Sequence, residues 1–111
     1  MSMIVNRRDL DFVLYETLDL ETILTSERYA DYDRQSVDAM MDLCQSVAED
    51  QFLPCAAKLD ANEPQFVDGK VKTIPELKEA INAYREAGLC TSAYDADVGG
   101  MQLPCIVDQA L

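Results

Sequence analysis

Gly88-Leu-Cys-Thr-Ser-Ala-Tyr-Asp-Ala-Asp-Val-Gly-Gly-Met-Gln-Leu-Pro104 is the stretch from which the fold is read. It opens on a glycine that ends a helix, runs through a polar loop containing Gly99-Gly100, and closes on Leu103-Pro104. A tight Gly-Gly turn followed by proline delivers the chain into a new helix. The given sequence stops at Leu111, roughly two turns into that helix. The expectation is therefore a leading piece of something larger.

Outward from this loop the pattern is helical. Thr73 with Glu76 spells a capping box, Pro75 is tolerated in a first turn, and Gly88 supplies the left-handed residue that ends the helix. Ile74, Leu77, Ile81 and Tyr84 share one side of it; Glu79, Asn82 and Glu86 face water. Before it, Asp68-Gly69 between short apolar runs spells a hairpin. Two strands alone are barely stable, so this excursion is expected to lean on the helices.

The longest helix is expected from about Arg34 to Leu59, capped by Asp33 or Ser36. Val37, Met40, Met41, Cys44, Val47, Ala48, Phe52 and Cys55 form one face, and Asp38, Asp42, Gln45 and Glu49 the other. Pro54 predicts a kink there rather than a stop. Upstream, Leu10, Val13, Leu14 and Leu18 make a stripe widened by Phe12 and Tyr15, and Leu20, Ile23 and Leu24 continue it. These read as two short helices, followed by a loop pinned by Tyr29 and Tyr32. The fold class is all-α, a small helical bundle with a hairpin-like excursion near Asp68-Gly69.

Composition narrows the function. The 111 residues are 49% hydrophobic and carry 9 Lys+Arg against 21 Asp+Glu, a formal charge of -12. Phosphate backbones and anionic membrane surfaces would be repelled, so no nucleic-acid partner is expected. No run approaches the ~18 apolar residues of a membrane span. At this length folding buries about 65% of the unfolded surface. The four cysteines, at 44, 55, 90 and 105, lack Cys-x-x-Cys spacing, and there is no histidine, so no metal site is expected. Without a signal-peptide run, free and mostly buried thiols in a reducing cytoplasm are expected.

Chemistry is hard to find in these residues. Acid–base catalysis would fall to carboxylates, yet Asp38, Asp42 and Glu49 sit where a helix keeps its outer face wet. A Ser or Cys nucleophile would lack a positioned base. Gly99-Gly100 is too short to cradle phosphate and is flanked by Asp95 and Asp97. Met40-Met41 fill packing gaps.

Gly88-Leu89, Asp95, Gly99-Gly100 and Leu103-Pro104 resemble the loop closing the N-terminal helical domain of acyl-CoA dehydrogenases. That family's pattern is approximately Gly-Trp/Leu, a few residues, then Asp-Pro-Glu-Tyr-Gly-Gly-x-Gly-Leu-Pro. Here Ala96 replaces the proline, Asp97 the glutamate, Val98 the tyrosine and Gln102 the third glycine. Such losses are expected to loosen or reshape the loop. Arg8-Asp9-Leu10-Asp11-Phe12-Val13-Leu14-Tyr15-Glu16-Thr17-Leu18 is similar to a helix of a larger, methylmercaptopropionyl-CoA dehydrogenase-like branch with an N-terminal extension.

The resemblance implies an extension over residues 1–32 and an N-terminal helical domain over 33–111, truncated at its C-terminal end. It implies FAD, an acyl-CoA substrate, an electron acceptor and a homo-oligomer for the intact protein. The catalytic glutamate and much of the flavin site belong to domains not included here. No catalytic, cofactor-binding or metal residue is assigned in this chain, and no FAD is expected on it alone. The alternative is a self-contained acidic helical binding or regulatory module. A fragment should leave an apolar patch bare, whereas a self-sufficient module should cover it or use it in an oligomer.

Overall fold

Asp33 starts the longest helical run of the computed structural model, which describes residues 2–111. The Ser36 N–H donates to Asp33 Oδ1 at 2.8 Å, while the Asp33 N–H donates to Ser36 Oγ at 2.8 Å. This reciprocal box satisfies two amides that a helix start would leave orphaned. Helix α3 (Arg34–Val47) follows, then a wide π-type segment, Ala48–Phe52, and α4 (Leu53–Ala61). The helix does not stop at Pro54. Its ring would clash with the carbonyl four residues back, and it has no N–H to donate. The wide segment immediately before it sends the Leu53 N–H to Ala48 O, five residues back, and absorbs the misfit.

The same device shapes the N-terminus. Helix α1 (Arg7–Asp11) widens into a π-type segment, Phe12–Thr17, where the Leu18 N–H donates to Val13 O at 2.9 Å. Regular winding would have placed Leu10, Val13, Leu14 and Leu18 on one stripe. The extra backbone residue rotates the later positions, so Leu14 and Tyr15 are buried while Val13 and Leu18 are exposed. Asp19 in the left-handed region (φ 50°) then turns the chain into α2 (Leu20–Leu24).

Downstream, β1 (Gln65–Val67) and β2 (Lys70–Lys72) pair antiparallel, Phe66 opposite Val71. Asp68 and Gly69 both have positive φ, 52° and 74°, as a two-residue turn of this kind demands. The hairpin does not lean on the helices as expected: Phe66 is 76% exposed and Val71 67%. Helix α5 (Pro75–Glu86) has no Thr73 capping box. Pro75 at its first position forces Ile74 into extended backbone, and Ile74 becomes the cap. Glu76 pairs with Lys58 of α4 instead. On α5 it is Ala80 that is buried, with Ile81 exposed. Gly88, with φ 78°, ends that helix as expected.

The last helix, α6 (Cys105–Ala110), starts directly after Pro104. It carries Val107 into a core shared with Leu14, Tyr15, Leu20, Leu24, Val37, Met41 and Leu103. Tyr29 and Tyr32 pack against its margin, and Tyr32 Oη donates to Met101 O. The architecture is all-α with a two-stranded excursion.

The body is open rather than round. Its extents are 50 × 36 × 18 Å, and its radius of gyration is 16.6 Å. A compact chain of this length would have a radius of about 13 Å. The accessible surface, 7695 Å², exceeds the roughly 6,100 Å² usual for this mass. Burial is therefore nearer about 57% of the unfolded surface than the expected 65%.

Candidate functional site

Within the loop between α5 and α6 the backbone folds back on itself through four hydrogen bonds. The Gly100 N–H donates to Asp95 O at 3.0 Å, Met101 to Thr91 O at 3.1 Å, Gln102 to Tyr94 O at 2.8 Å and Leu103 to Ser92 O at 2.9 Å. Gly99 has φ 86°, and a Cβ on Gly100 would lie 2.1 Å from Tyr94 O, so the two glycines do different jobs. One supplies handedness, the other close approach. Ser92 is buried and donates from Oγ to Asp108 on α6, tying the loop to the helix it launches.

Gln102 stands where the resembled family pattern has glycine. Its φ is 56°, a region that costs a side chain ~1 kcal/mol. The side chain is nevertheless engaged at both ends of its carboxamide. The Gln102 Nε2 donates to Arg28 O at 2.9 Å, and its Oε1 accepts from the Ala96 N–H at 3.1 Å. Arg28 also pairs with Asp95. Sequence reading missed this because the partner lies far away in the chain.

The helical carboxylates do not converge on a reactive centre. Asp42 is exposed and pairs with Arg7 at 2.6 Å, while Asp38 is half-buried and accepts from Tyr15 Oη at 2.6 Å. The Arg34 guanidinium lies 4.0 Å from the centroid of the same tyrosine ring. Part of the face expected to be wet is thus covered by the N-terminal segment. Burial, then the Asp38 hydrogen bond, pushes the Tyr15 hydroxyl well above its ordinary range. Hydrogen bonds, that from Ser2 foremost, hold Glu49 below the usual carboxylate range. Burial raises the Cys44 thiol, which donates to Leu111 O at 3.1 Å. Each of these shifts moves away from neutrality, opposite to what a general base requires.

All four thiols are free, but only Cys55 is buried; Cys44 is half-buried, and Cys90 and Cys105 are exposed. The expectation of mostly buried thiols therefore fails for two of them. Among the described residues no group of three or more His, Cys, Asp or Glu could hold a metal ion. Among the described residues no helix is long and apolar enough to cross a membrane.

Neither the Gly99-Gly100 turn nor the start of α3 suits a flavin dinucleotide. Its pyrophosphate wants free backbone amides or clustered cations. The Gly99 and Gly100 amides are already bonded to Ala96 O and Asp95 O, and the Asp33 carboxylate occupies the start of α3. The surface instead presents apolar side chains. Phe12, Leu18, Leu43, Leu53, Ile81, Tyr94 and Val98 are all exposed.

No protein-family model matches the chain, and no solved structure matches it either. Two curated relatives do. The chain is 33% identical over 99 residues, 84% of its length, to a butyryl-CoA dehydrogenase of Syntrophomonas wolfei. It is 32% identical over 109 residues, 96% of its length, to a broad-specificity linear acyl-CoA dehydrogenase of Mycobacterium tuberculosis. The chain spans only 16% and 18% of the lengths of these relatives. Over most of its own length the chain is therefore similar to members of the acyl-CoA dehydrogenase family.

Proposed function

We propose that this chain is the N-terminal helical part of an FAD-dependent acyl-CoA dehydrogenase of the larger, N-terminally extended branch. Residues 1–32 form the extension, and residues 33–111 begin the helical domain. The intact protein would desaturate linear acyl-CoA thioesters, pass electrons to a separate acceptor, and work as a cytoplasmic homo-oligomer. The catalytic base and the flavin contacts belong to the polypeptide that completes the domain set. This chain contributes a wall.

One observation carries the reading: the bundle is an 18 Å slab with apolar side chains bare on several elements, rather than a sealed body. Contiguous exposed apolar surface marks a contact site for a partner. The covered share of the curated relatives is compatible with a partner in the same polypeptide.

Purification of the product of the whole gene tests it. The expected result is a yellow protein that reduces an electron-accepting dye when butyryl-CoA or a longer linear acyl-CoA is added. The 111-residue chain alone should be colourless and inert. A stop codon directly after Leu111, or flavin bound by the 111-residue chain itself, would overturn the reading in favour of a self-contained module.

A further inference from the structure

We propose that Glu27–Tyr32 is a strap that holds the Gly88–Pro104 loop in the shape that launches α6, with the Gln102 carboxamide as its buckle. The inference does not depend on the family reading.

Three contacts join the two segments across some seventy residues of sequence. Gln102 Nε2 donates to Arg28 O at 2.9 Å, Tyr32 Oη donates to Met101 O, and Arg28 pairs with Asp95. The three are unequal. The ion pair lies between half-exposed side chains and is screened by water. The Gln102 carboxamide does more, because it also accepts the Ala96 N–H at 3.1 Å and so closes the loop on itself and on the strap at once.

Its backbone makes the case sharper. At φ 56° glycine or asparagine would sit with less strain than glutamine. If backbone preference governed this position, either replacement would tighten the loop. If the carboxamide bridge governs it, either loosens the loop, since asparagine is one methylene short of the reach. The strap also lies beside α6's seat, because Tyr29 and Tyr32 pack against the core that receives Val107.

Native-state hydrogen exchange on the full 111-residue chain separates these cases. For Gln102→Asn and Gln102→Gly, exchange at the Ala96, Met101 and Leu103 amides should accelerate about tenfold. The Tyr29 and Tyr32 amides should accelerate with them, while the Ala83–Glu86 amides of α5 stay unchanged. Arg28→Ala, which keeps the carbonyl that Gln102 grips, should change those rates less than about twofold. Unchanged or slower exchange in Gln102→Asn would overturn the proposal. So would acceleration confined to the loop, or acceleration spread equally to α5, which would make Gln102 an ordinary stability residue.

Discussion

The half of the molecule around Leu20, Val37 and Val107 and the half around α4, the hairpin and α5 are built to different standards. In the first, side chains from both ends of the chain close over one another, and Leu20, Val37 and Val107 are wholly buried. In the second, burial falls to Cys55, Ile74, Ala80 and Leu89, and two of these are small. Both halves are helical: Asp33 caps the start of α3 in the first, and Gly88 ends α5 in the second. The difference shows that secondary structure can be complete where a core is not. Local hydrogen bonds define the second half, but apolar burial, worth roughly 25 cal/mol per Å², is concentrated in the first.

This contrast can be broken by mutation. Leu20→Ala should have the largest effect, lowering unfolding free energy by about 3 kcal/mol in urea titration, because the side chain is fully enclosed. A loss under about 1 kcal/mol would mean the first half is no tighter than the second. Gly100→Ala comes next, at about 2 kcal/mol, since its Cβ would press on the Tyr94 backbone carbonyl rather than on a yielding side chain. Wild-type stability in that variant would show that the loop can slide.

Tyr15→Phe should cost about 1 kcal/mol by removing the hydroxyl that Asp38 accepts. It should also blunt alkaline unfolding. The Tyr15 hydroxyl titrates higher folded than unfolded, so its contribution is fully present below pH ~10 and is lost as pH rises beyond it. Circular dichroism against pH in both proteins measures this, and identical alkaline profiles would contradict it. Phe66→Ser, on the exposed hairpin, should fall within about 0.5 kcal/mol of wild type in the isolated chain. A large drop there would show that the second half has a core the coordinates do not reveal.

Much of the fold was legible because it is local. Asp33 beside Ser36, Asp68-Gly69, and Gly88 before the loop each state their geometry within four residues, and each forms where expected. Errors arose where tertiary packing sets the phase. Nothing in Phe12–Thr17 announces an extra backbone residue, so Val13 and Leu18 were assigned to the wrong side. Thr73 matched a capping motif, but the backbone restriction imposed by Pro75 overrode it. The Tyr15–Asp38 contact was invisible because it joins residues 23 positions apart. At Gln102 the departure from glycine suggested slackness, whereas the longer side chain found Arg28.

The wide turn at Ala48–Phe52 has a consequence for how chain length can vary here. One residue deleted within it would let the helix resume regular winding, with the Leu53 N–H still donating to Ala48 O, now four residues back, so that α4 keeps its phase. Cys55 would stay in the interior, and Lys58 would keep its alignment with Glu76. A single lost codon at this spot is thus absorbed, whereas the same loss within the regular turns of α3 would rotate all that follows by about 100°.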